Sequence, residues 1–454
     1  MPLPLPQVLG PTSTDVTTDY YSITMRAAQV EIIPGYTTTI WGYNGLYPGP
    51  TIKARSGRRV VVNQTNNLSV PTSVHLHGGH TPPDSDGHPC DLFLPGATKQ
   101  YTYPNNQIAA TLWYHDHAVD VTGLHVYMGL AGFYILQDDV ELGLNLPSGS
   151  YDIPLVIQDR QFNSDGSLYY PPITSDIIRN GFEGDTILVN GAVQPYFQVA
   201  NRKYRFRILN GSNARGYELT LENGSGRYGG PAASFIQIGT DGGLISRPVT
   251  RSSIPLWGAE RVEVIIDFSQ FPVGTQLVLK NNMGYGDSGD VMRFDVVRQE
   301  PDPSTVPSSL RPLATLPAAS VTRDINLEFD RNRNRWVLNG KQFDCNRIDQ
   351  MPRLGATEIW RFNNRSGMVH PMHIHDIMFQ IIDGGDGHHS SDGGGFDWGS
   401  SSPGVAGWKD TVAVGGWDTV RVKTQFLDNT GPYVFHCHKL EHEDFSMMGQ
   451  FQVV

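Results

Sequence analysis

The stretch NGAVQPYFQVANRKYRFRILN (190–210) decides the fold. It begins with an Asn-Gly turn and ends, about twenty residues later, in an apolar strand that finishes on Asn210. The same pattern occurs twice more: Asn44-Gly45 precedes RRVVVN (58–63), and Asn339-Gly340 precedes EIWRFN (358–363). Strands that alternate around Asn-Gly turns indicate antiparallel β-structure. We therefore predict an all-β protein made of three consecutive copies of one β-sandwich.

Linker signals divide the chain into thirds of similar length. Five prolines lie between Pro301 and Pro317, and a weaker signal is ELGLNLPSGS (141–150). Proline-rich and Gly/Ser-containing segments of this kind interrupt strands and connect domains. The predicted domains are residues 1–145, 146–300 and 301–454. The composition agrees, because 49 Gly and 31 Pro with only 17% charged residues suit many short strands joined by turns.

Charge and hydropathy argue against several classes of partner. The net charge of −11, without a run of five like charges, argues against nucleic acid and against an anionic membrane surface. No segment stays apolar over eighteen residues, so we predict no membrane span. The first residues, MPLPLPQVLGPTSTD (1–15), contain no basic n-region, apolar h-region or twin arginine. No export signal is visible, so we expect either an intracellular chain or a mature exported one. We also expect the protein to be a monomer.

Histidines are concentrated in the first and last thirds of the chain. Four His-x-His pairs occur, and on a strand two such side chains lie on one face about 6–7 Å apart. Imidazole is a favoured copper ligand, and eight imidazoles suit a cluster of three coppers. No histidine occurs from Val126 to Val369, so the middle domain is predicted to be a copper-free spacer. The outer domains must then meet to share their ligands, which are His75, His77, His115, His117, His373, His375, His436 and His438.

The tripeptide His436-Cys437-His438 carries the strongest metal signal. The strand period of two places both histidines on one face and the thiolate on the other. Together with His370 and His442, Cys437 supplies the His₂Cys set of a blue copper site, and Met447 offers a weak axial thioether. Zinc is the competing metal, but structural zinc sites are closed sets of four ligands. The tripeptide would give electrons a short through-bond route from the blue copper to the cluster.

Four motifs resemble the copper motifs of the multicopper oxidases: HLHG (75–78), HDH (115–117), HPMHIH (370–375) and HCHKLEHEDFSMM (436–448). The resemblance runs over nearly the whole chain. Segments such as IGTDGGLISRPV (238–249) are similar to the branch that contains bacterial spore-coat laccases and bilirubin oxidase. The resemblance implies three cupredoxin-like Greek-key domains. It also implies one-electron oxidation of phenolic or related organic reductants, coupled to four-electron reduction of dioxygen to water.

The same resemblance implies four coppers and divides the ligands among them. The type 1 copper would take His370, Cys437, His442 and Met447. Met448 is the alternative axial ligand, but the family's spacing of ten residues after the cysteine favours Met447. The type 2 copper would take His75 and His373. The type 3 pair would take the other six histidines of the four pairs: His77, His115, His117, His375, His436 and His438.

Two carboxylates are candidates for proton delivery, because reduction of dioxygen to water consumes four protons. Asp86 follows the first histidine pair in PPDSDGHP, and Glu443 lies in HEDFSMM; both motifs resemble this branch of the family. The alternatives are that Asp86 caps a turn and that Glu443 is solvated. Asp116 is expected to have a structural role, because it faces away from its histidine neighbours.

The remaining histidines and cysteines have weaker assignments. His80, His88 and His125 lie beside ligand motifs but outside their spacing, and are expected near the ligands or at the surface. His388 and His389 belong to a glycine-rich loop (384–404), which is either a rim near the blue copper or a solvated loop. Cys90 and Cys345 are expected to be free and buried, with a bridge between domains three and one as the alternative.

Two other functions remain open on the sequence. One is oxidation of cuprous or ferrous ions, and cuprous oxidases of the family often carry a Met-rich insertion of thioether ligands in domain three. Here eleven Met are spread over the chain, and the corresponding loop offers Gly, Ser, Asp and His instead. A non-enzymatic electron carrier or copper-storage protein is the other alternative. A carrier needs only the blue site, so the eight cluster histidines favour an oxidase.

Overall fold

The computed structural model describes residues 1–224, 233–384 and 406–454, and its strands form six sheets that pair into three β-sandwiches. The prediction of an all-β fold in three copies is confirmed. His388 and His389, and with them nearly all of the glycine-rich loop, lie outside the described residues. Within the described part of the chain, no helix is both long and apolar enough to cross a membrane.

The first sandwich packs a β2-β3-β6-β8 sheet, with β4 paired to β3, against a β1-β5-β10-β9-β7 sheet. Its strands are β1 (Val8–Leu9), β2 (Ser13–Thr14), β3 (Thr18–Val30), β4 (Thr38–Tyr43), β5 (Gly49–Arg55), β6 (Arg59–Asn66), β7 (Val74–His77), β8 (Thr98–Tyr103), β9 (Ala110–Asp116) and β10 (Ala131–Gln137). Its helical segments are α1 (Thr122–Met128), α2 (Asp139–Gly143) and the 3₁₀ turn Pro83–Ser85, and a further 3₁₀ turn, Gly149–Tyr151, leads into the second sandwich.

The second sandwich has sheets ordered β13-β12-β11-β15-β20-β17-β18 and β14-β22-β21-β16-β19. Its strands are β11 (Asp152–Arg160), β12 (Thr186–Val189), β13 (Ala192–Val193), β14 (Tyr196–Ala200), β15 (Lys203–Asn210), β16 (Tyr217–Asn223), β17 (Phe235–Thr240), β18 (Gly243–Arg251), β19 (Ile254–Leu256), β20 (Arg261–Asp267), β21 (Gln276–Asn281) and β22 (Asp290–Arg298). Its helical segments are α3 (Ser175–Asn180) and the 3₁₀ turns Phe268–Gln270 and Gly286–Gly289.

The third sandwich has sheets ordered β24-β23-β25-β29-β27 and β28-β26-β30-β31. Its strands are β23 (Val321–Asp330), β24 (Arg335–Leu338), β25 (Thr357–Asn364), β26 (His370–Ile374), β27 (Phe379–Asp383), β28 (Thr411–Val414), β29 (Thr419–Gln425), β30 (Gly431–Cys437) and β31 (Met448–Val453), with helix α4 (Leu440–Asp444) before the last strand. Each sandwich encloses its own buried apolar core, as three independent β-sandwiches require.

The three Asn-Gly turns are equivalent in detail. Asn44, Asn190 and Asn339 all have left-handed backbones, with φ of 57°, 51° and 52°. Asn tolerates this conformation, and the following glycine adopts it without steric cost. Each asparagine side-chain oxygen accepts a backbone N–H from a neighbouring strand, at 2.9, 2.9 and 2.7 Å respectively. The repeat seen in the sequence therefore reflects one turn built three times.

The strand-ending asparagines correct the predicted register of the repeat. The equivalent residues are Asn66, Asn210 and Asn364, the last residues of β6, β15 and β25, so the choice of Asn63 and Asn363 was wrong. In all three, the side-chain oxygen accepts the N–H of the residue two positions later, at 2.9–3.0 Å. Their amide groups donate to backbone carbonyls of the loops that follow. The strands β6 and β25 each contain two asparagines, so the sequence alone does not show which of the two ends the strand.

A disulfide joins the first and third sandwiches. Cys90 and Cys345 are bonded, with their Cα atoms 6.2 Å apart, so the expectation that they are free is wrong. Their separation of 255 residues hides this proximity in the sequence. Further contacts follow the same seam: His88 Nε2 lies 2.7 Å from Gln450 Oε1, and the Tyr433 hydroxyl donates to the carbonyl of Thr81 at 2.8 Å. Cys437 is the free cysteine and is buried.

Candidate metal centre

Eight histidines meet between the first and third sandwiches and form what we call the histidine cluster: His75, His77, His115, His117, His373, His375, His436 and His438. None is more than 1% exposed. Strand pairing brings them together. β7 pairs with β9 and places His75 opposite His115, and β26 pairs with β30 and places His373 opposite His436. Rings also stack across the seam, with centroids 3.7 Å apart for His75–His375 and for His77–His373. The two sandwiches thus contribute to one site.

The ring nitrogens of the cluster converge in three groups. One group is His77, His115 and His438, and a second is His117, His375 and His436. In the second group, His436 Nε2 lies 3.2 Å from the Nε2 atoms of both other rings. The third is His75, His77 and His373, in which the Nε2 atoms of His75 and His373 are 3.4 Å apart. These three groups together use all eight histidines of the cluster, and His77 belongs to two of them.

Several cluster nitrogens are buried without a hydrogen-bond partner among the described residues. Among them are His77 Nδ1, His115 Nε2 and both nitrogens of His438. An unpartnered buried nitrogen costs free energy, which a bound metal would offset. Burial holds the pKa of these three imidazoles well below the usual range. The rings are therefore neutral, as metal ligation requires, and the residues fit copper.

Backbone carbonyl oxygens fix the orientation of three rings of the histidine cluster. Nδ1 of His75 lies 2.6 Å from the carbonyl oxygen of Asp86, and Nδ1 of His115 lies 2.8 Å from that of Asp116. Nδ1 of His373 lies 2.8 Å from a third carbonyl oxygen. Since a carbonyl can only accept, Nδ1 carries the proton and Nε2 presents its lone pair to the cluster. This is the protonation state that a metal ligand needs.

His77 is held in the opposite sense. Its Nε2 lies 3.0 Å from Asp410 Oδ1 and 3.1 Å from Thr411 Oγ1, and its Nδ1 is the atom without a partner. The carboxylate accepts the Nε2 proton, so Nδ1 is left to face His115 and His438. Neither Asp410 nor Thr411 was singled out from the sequence, because neither lies in a histidine motif.

A second site, here called the thiolate site, consists of His370, Cys437 and His442. Cys437 Sγ lies 3.6 Å from Nδ1 of each histidine, and the two Nδ1 atoms are 3.2 Å apart. Burial raises the pKa of the Cys437 thiol to about 12, so a metal must displace this proton on binding. Met447 is fully buried in the same apolar cluster as Cys437.

The outer edges of the thiolate site are covered by protein. His442 Nε2 lies 2.9 Å from the carbonyl oxygen of Arg179 in α3, and His370 Nε2 lies 3.0 Å from Ser366 Oγ. The Trp336 ring packs against both histidines, with centroid distances of 4.5 and 4.8 Å. These groups cover the two histidines of the thiolate site on their outer side.

Asp86 and Glu443 both contact cluster ligands. Asp86 is fully buried, and its Oδ2 lies 2.7 Å from Nδ1 of His375. The two Glu443 oxygens lie 3.3 Å from Nδ1 of His117 and 3.0 Å from Nδ1 of His436. Glu443 is only 2% exposed, so the alternative of a solvated side chain is wrong.

Helix α4 carries two further carboxylates that the sequence analysis did not select. Glu441 accepts from the Asn213 amide at 2.8 Å and from the Tyr170 hydroxyl at 2.9 Å, both in the second sandwich. Asp444 accepts the N–H groups of Thr122 and Gly123, at the start of α1, at 2.8 Å each. Three acidic residues within LEHED were the available signal. The helix that contains His442 is thus tied to both other sandwiches.

Other residues near the motifs have local partners. Asp116 accepts the N–H groups of Ser73 and Ala118, and its Oδ1 lies 2.8 Å from His125 Nδ1. His80 Nδ1 lies 2.7 Å from an Asp428 oxygen. These contacts place Asp116 and His125 in the packing behind the cluster and His80 at the seam between the first and third sandwiches.

Comparisons with known proteins agree with this geometry. Family models described as multicopper oxidase match residues 24–141 and 316–454. A laccase from Bacillus stratosphericus is 38% identical over 100% of this chain and 98% of its own length. A bilirubin oxidase from Albifimbria verrucaria is 35% identical over 99% of this chain and 80% of its own. The solved structure of a laccase from Pediococcus acidilactici has a TM-score of 0.88 at 33% identity, covering 100% of this chain and 94% of that one.

The matched segments contain every residue of the histidine cluster and of the thiolate site. The first segment includes both histidine pairs of the first sandwich, and the second includes all ligand motifs of the third. Sequence, fold and site geometry thus agree over the full length of the chain. This chain belongs to the multicopper oxidase family.

Proposed function

We propose that the chain is a laccase-type oxidase that takes single electrons from phenolic or related organic reductants and reduces dioxygen to water. It would hold four coppers, in domains with boundaries near residues 145 and 300, and act as a monomer. The type 1 ligands would be His370, Cys437, His442 and Met447. The type 2 ligands would be His75 and His373. The type 3 ligands would be His77, His115, His117, His375, His436 and His438.

The observation that carries this proposal is the covalent continuity of the two sites. Bound copper would accept single electrons at the thiolate site and deliver four of them to dioxygen at the histidine cluster. Cys437 is bonded through the backbone to His436 and His438, which belong to two different nitrogen groups of the cluster. The chain itself therefore supplies a short route from one site to both groups. An electron carrier would have no use for the histidine cluster.

Asp86 and Glu443 are proposed to handle protons beside the cluster. Each has carboxylate oxygens within 3.3 Å of at least one ligand Nδ1 atom, and each is buried away from bulk water. A carboxylate in such a position can hold a proton and release it to a nearby acceptor. The opposite placement of the two residues, on the first and third sandwiches, would serve the cluster from two sides.

The second candidate is oxidation of cuprous or ferrous ions, since a multicopper oxidase of solved structure from Campylobacter jejuni, 27% identical to this chain, is a metallo-oxidase. Oxygen uptake should be measured with a phenol and with cuprous ion on one copper-loaded sample. We expect the phenol to support the larger kcat/KM. A larger value with cuprous ion would favour the metal oxidase. No uptake with either, in a sample that contains its copper, would contradict both.

A further inference from the structure

Arg261 of the second sandwich reaches all three sandwiches. It is 1% exposed and begins β20. Its Nε–H donates to the carbonyl of Thr111 in the first sandwich, at 2.9 Å. Its two terminal nitrogens donate to the carbonyls of Ala259 and Asp241 in the second sandwich, and to both carboxylate oxygens of Asp410 in the third. All five guanidinium N–H groups are therefore used.

Asp410 connects this guanidinium to a cluster ligand. Its Oδ1 accepts from Arg261 at 2.8 Å and lies 3.0 Å from Nε2 of His77. Asp410 is fully buried, and so is the Thr411 hydroxyl that shares the same contact with His77. The planar fork of an arginine fixes the plane of a carboxylate, which a point charge does not. The orientation of Oδ1, and with it the orientation of His77, thus depends on Arg261.

The backbone beside His77 is shaped to admit this pair. Gly78 has φ of +84°, a conformation that glycine adopts without cost. A Cβ atom there would lie 2.6 Å from Asp410 Oδ2 and 2.7 Å from Arg261 Nη2. The last residue of the HLHG motif is therefore a glycine because the Arg261–Asp410 pair passes directly against it. A ligand motif of the first sandwich is built around an arginine of the second.

We propose that Arg261 is a positioning residue for the histidine cluster: through Asp410 it holds His77 with Nδ1 directed at the metal. The inference rests on the proposed function only in taking copper as the metal. It gives the second sandwich, which contributes no ligand, a specific part in the cluster.

Arg207 provides a matched control. It is also fully buried in the second sandwich, and it also contacts Thr111 of the first. Its other partners are the carboxylates of Asp152, Glu263 and Glu141, and none of these contacts a cluster histidine in the described residues. Arg207→Lys and Arg261→Lys each remove a bidentate arginine–carboxylate pair from an arginine that also contacts Thr111. Only the second change alters the support of His77.

The test compares copper retention in the two variants and the wild-type chain. Copper-loaded protein is dialysed against increasing chelator, and copper per chain, the blue absorption and the electron paramagnetic resonance of the cluster are followed. Arg261→Lys should lose cluster copper at about 10- to 100-fold lower chelator concentration, as expected when the support of a ligand is removed. Its blue absorption should persist. Arg207→Lys should retain both sets of copper like the wild type.

Two results would overturn the inference. One is that Arg261→Lys loses its cluster copper at a chelator concentration within about twofold of the wild-type value, and not at the expected 10- to 100-fold lower concentration. The other is equal loss in Arg207→Lys, which would indicate general loosening of the interface. If Arg261→Lys does not fold, Asp410→Asn decides in the same way, because an amide has one accepting oxygen instead of two and cannot form the bidentate pair with Arg261. A wild-type chain that binds no copper would instead refute the proposed function.

Discussion

The second sandwich and the two that flank it share one frame and differ in chemistry. All three have the same Asn-Gly turn and the same strand-ending asparagine, with matching hydrogen bonds. After Asn66 and Asn364 the chain reaches histidines within about ten residues, whereas after Asn210 it reaches Asn213 and Arg215. These two bind carboxylates, Asn213 that of Glu441 in the third sandwich and Arg215 that of Asp159.

The shared frame, meaning the Asn-Gly turn and the strand-ending asparagine, is therefore separable from the histidines, which only the outer two sandwiches contain. In the second sandwich, the loop after the strand-ending asparagine makes polar contacts with the neighbouring sandwiches instead, through Asn213. Arg261 is the clearest case. It donates to Asp410, which contacts His77, although Arg261 itself belongs to the sandwich that contains no histidine. On the proposal made above, a domain without histidines contributes to the candidate metal centre through positioning.

Removing the thiolate should give the largest effect. Cys437→Ser keeps a side chain of similar size but loses the ligand that gives a blue copper site its colour. We expect complete loss of the blue absorption and of turnover with organic reductants, while the histidine cluster still binds copper. The absorption spectrum and the copper content per chain check this directly. Blue colour that survived the substitution would refute the assignment of Cys437.

Neutralising the buried carboxylates should slow dioxygen reduction and leave the thiolate site unchanged. For Asp86→Asn and Glu443→Gln we expect turnover to fall by about 10²–10⁴-fold, as is usual when a proton donor is lost. Stopped-flow measurements should show slow reoxidation by dioxygen but normal anaerobic reduction of the blue copper. Reoxidation at the wild-type rate in both variants would show that these carboxylates are structural. Loss of copper would show that they organise the ligands.

The strand-ending asparagines should matter alike in all three sandwiches if the frame is shared. Asn66→Ala, Asn210→Ala and Asn364→Ala each leave buried backbone groups without their partners, which costs about 1–3 kcal/mol. We expect each variant to lower the midpoint of thermal unfolding by a few degrees. Asn63→Ala is the control, because Asn63 was wrongly assigned to the repeat. Its side chain contacts the exposed Gln100 and not a buried backbone group. A selective effect in the outer sandwiches would refute the shared frame.

The axial methionine should give the smallest effect. A long thioether contact adds little binding but donates electron density that stabilises the cupric state. Met447→Leu should stay folded and blue, with a higher reduction potential at the thiolate site. Redox titration measures this shift. The matched change Met448→Leu, one residue along the chain, should leave the potential unaltered, and the reverse result would move the axial role to Met448.

The fold and the ligand motifs could be predicted because their signals are local. A period of two on a strand places His436 and His438 on one face and Cys437 on the other, and the structure brings these residues to the two separate sites. The Asn-Gly turns are likewise readable over a few residues. Such local rules need no knowledge of which sandwiches touch.

The rest depends on contacts between distant parts of the chain. Arg261 and Asp410 are 149 residues apart, and His77 and Asp410 are 333 apart, with no periodicity to connect them. The pairing of Cys90 with Cys345 is similarly unreadable, because cysteine connectivity does not follow from spacing. In the repeat, two asparagines per strand left the register open until the strand ends were known.

The central claim is that copper lies only where the first and third sandwiches meet and at the thiolate site. A crystal of the copper-loaded chain, measured at X-ray energies on either side of the copper absorption edge, tests this most directly. The account predicts four anomalous peaks: one between Cys437, His370 and His442, and three within the histidine cluster, with none in the second sandwich. A peak inside the second sandwich, or an empty histidine cluster in a chain that is blue, would contradict it.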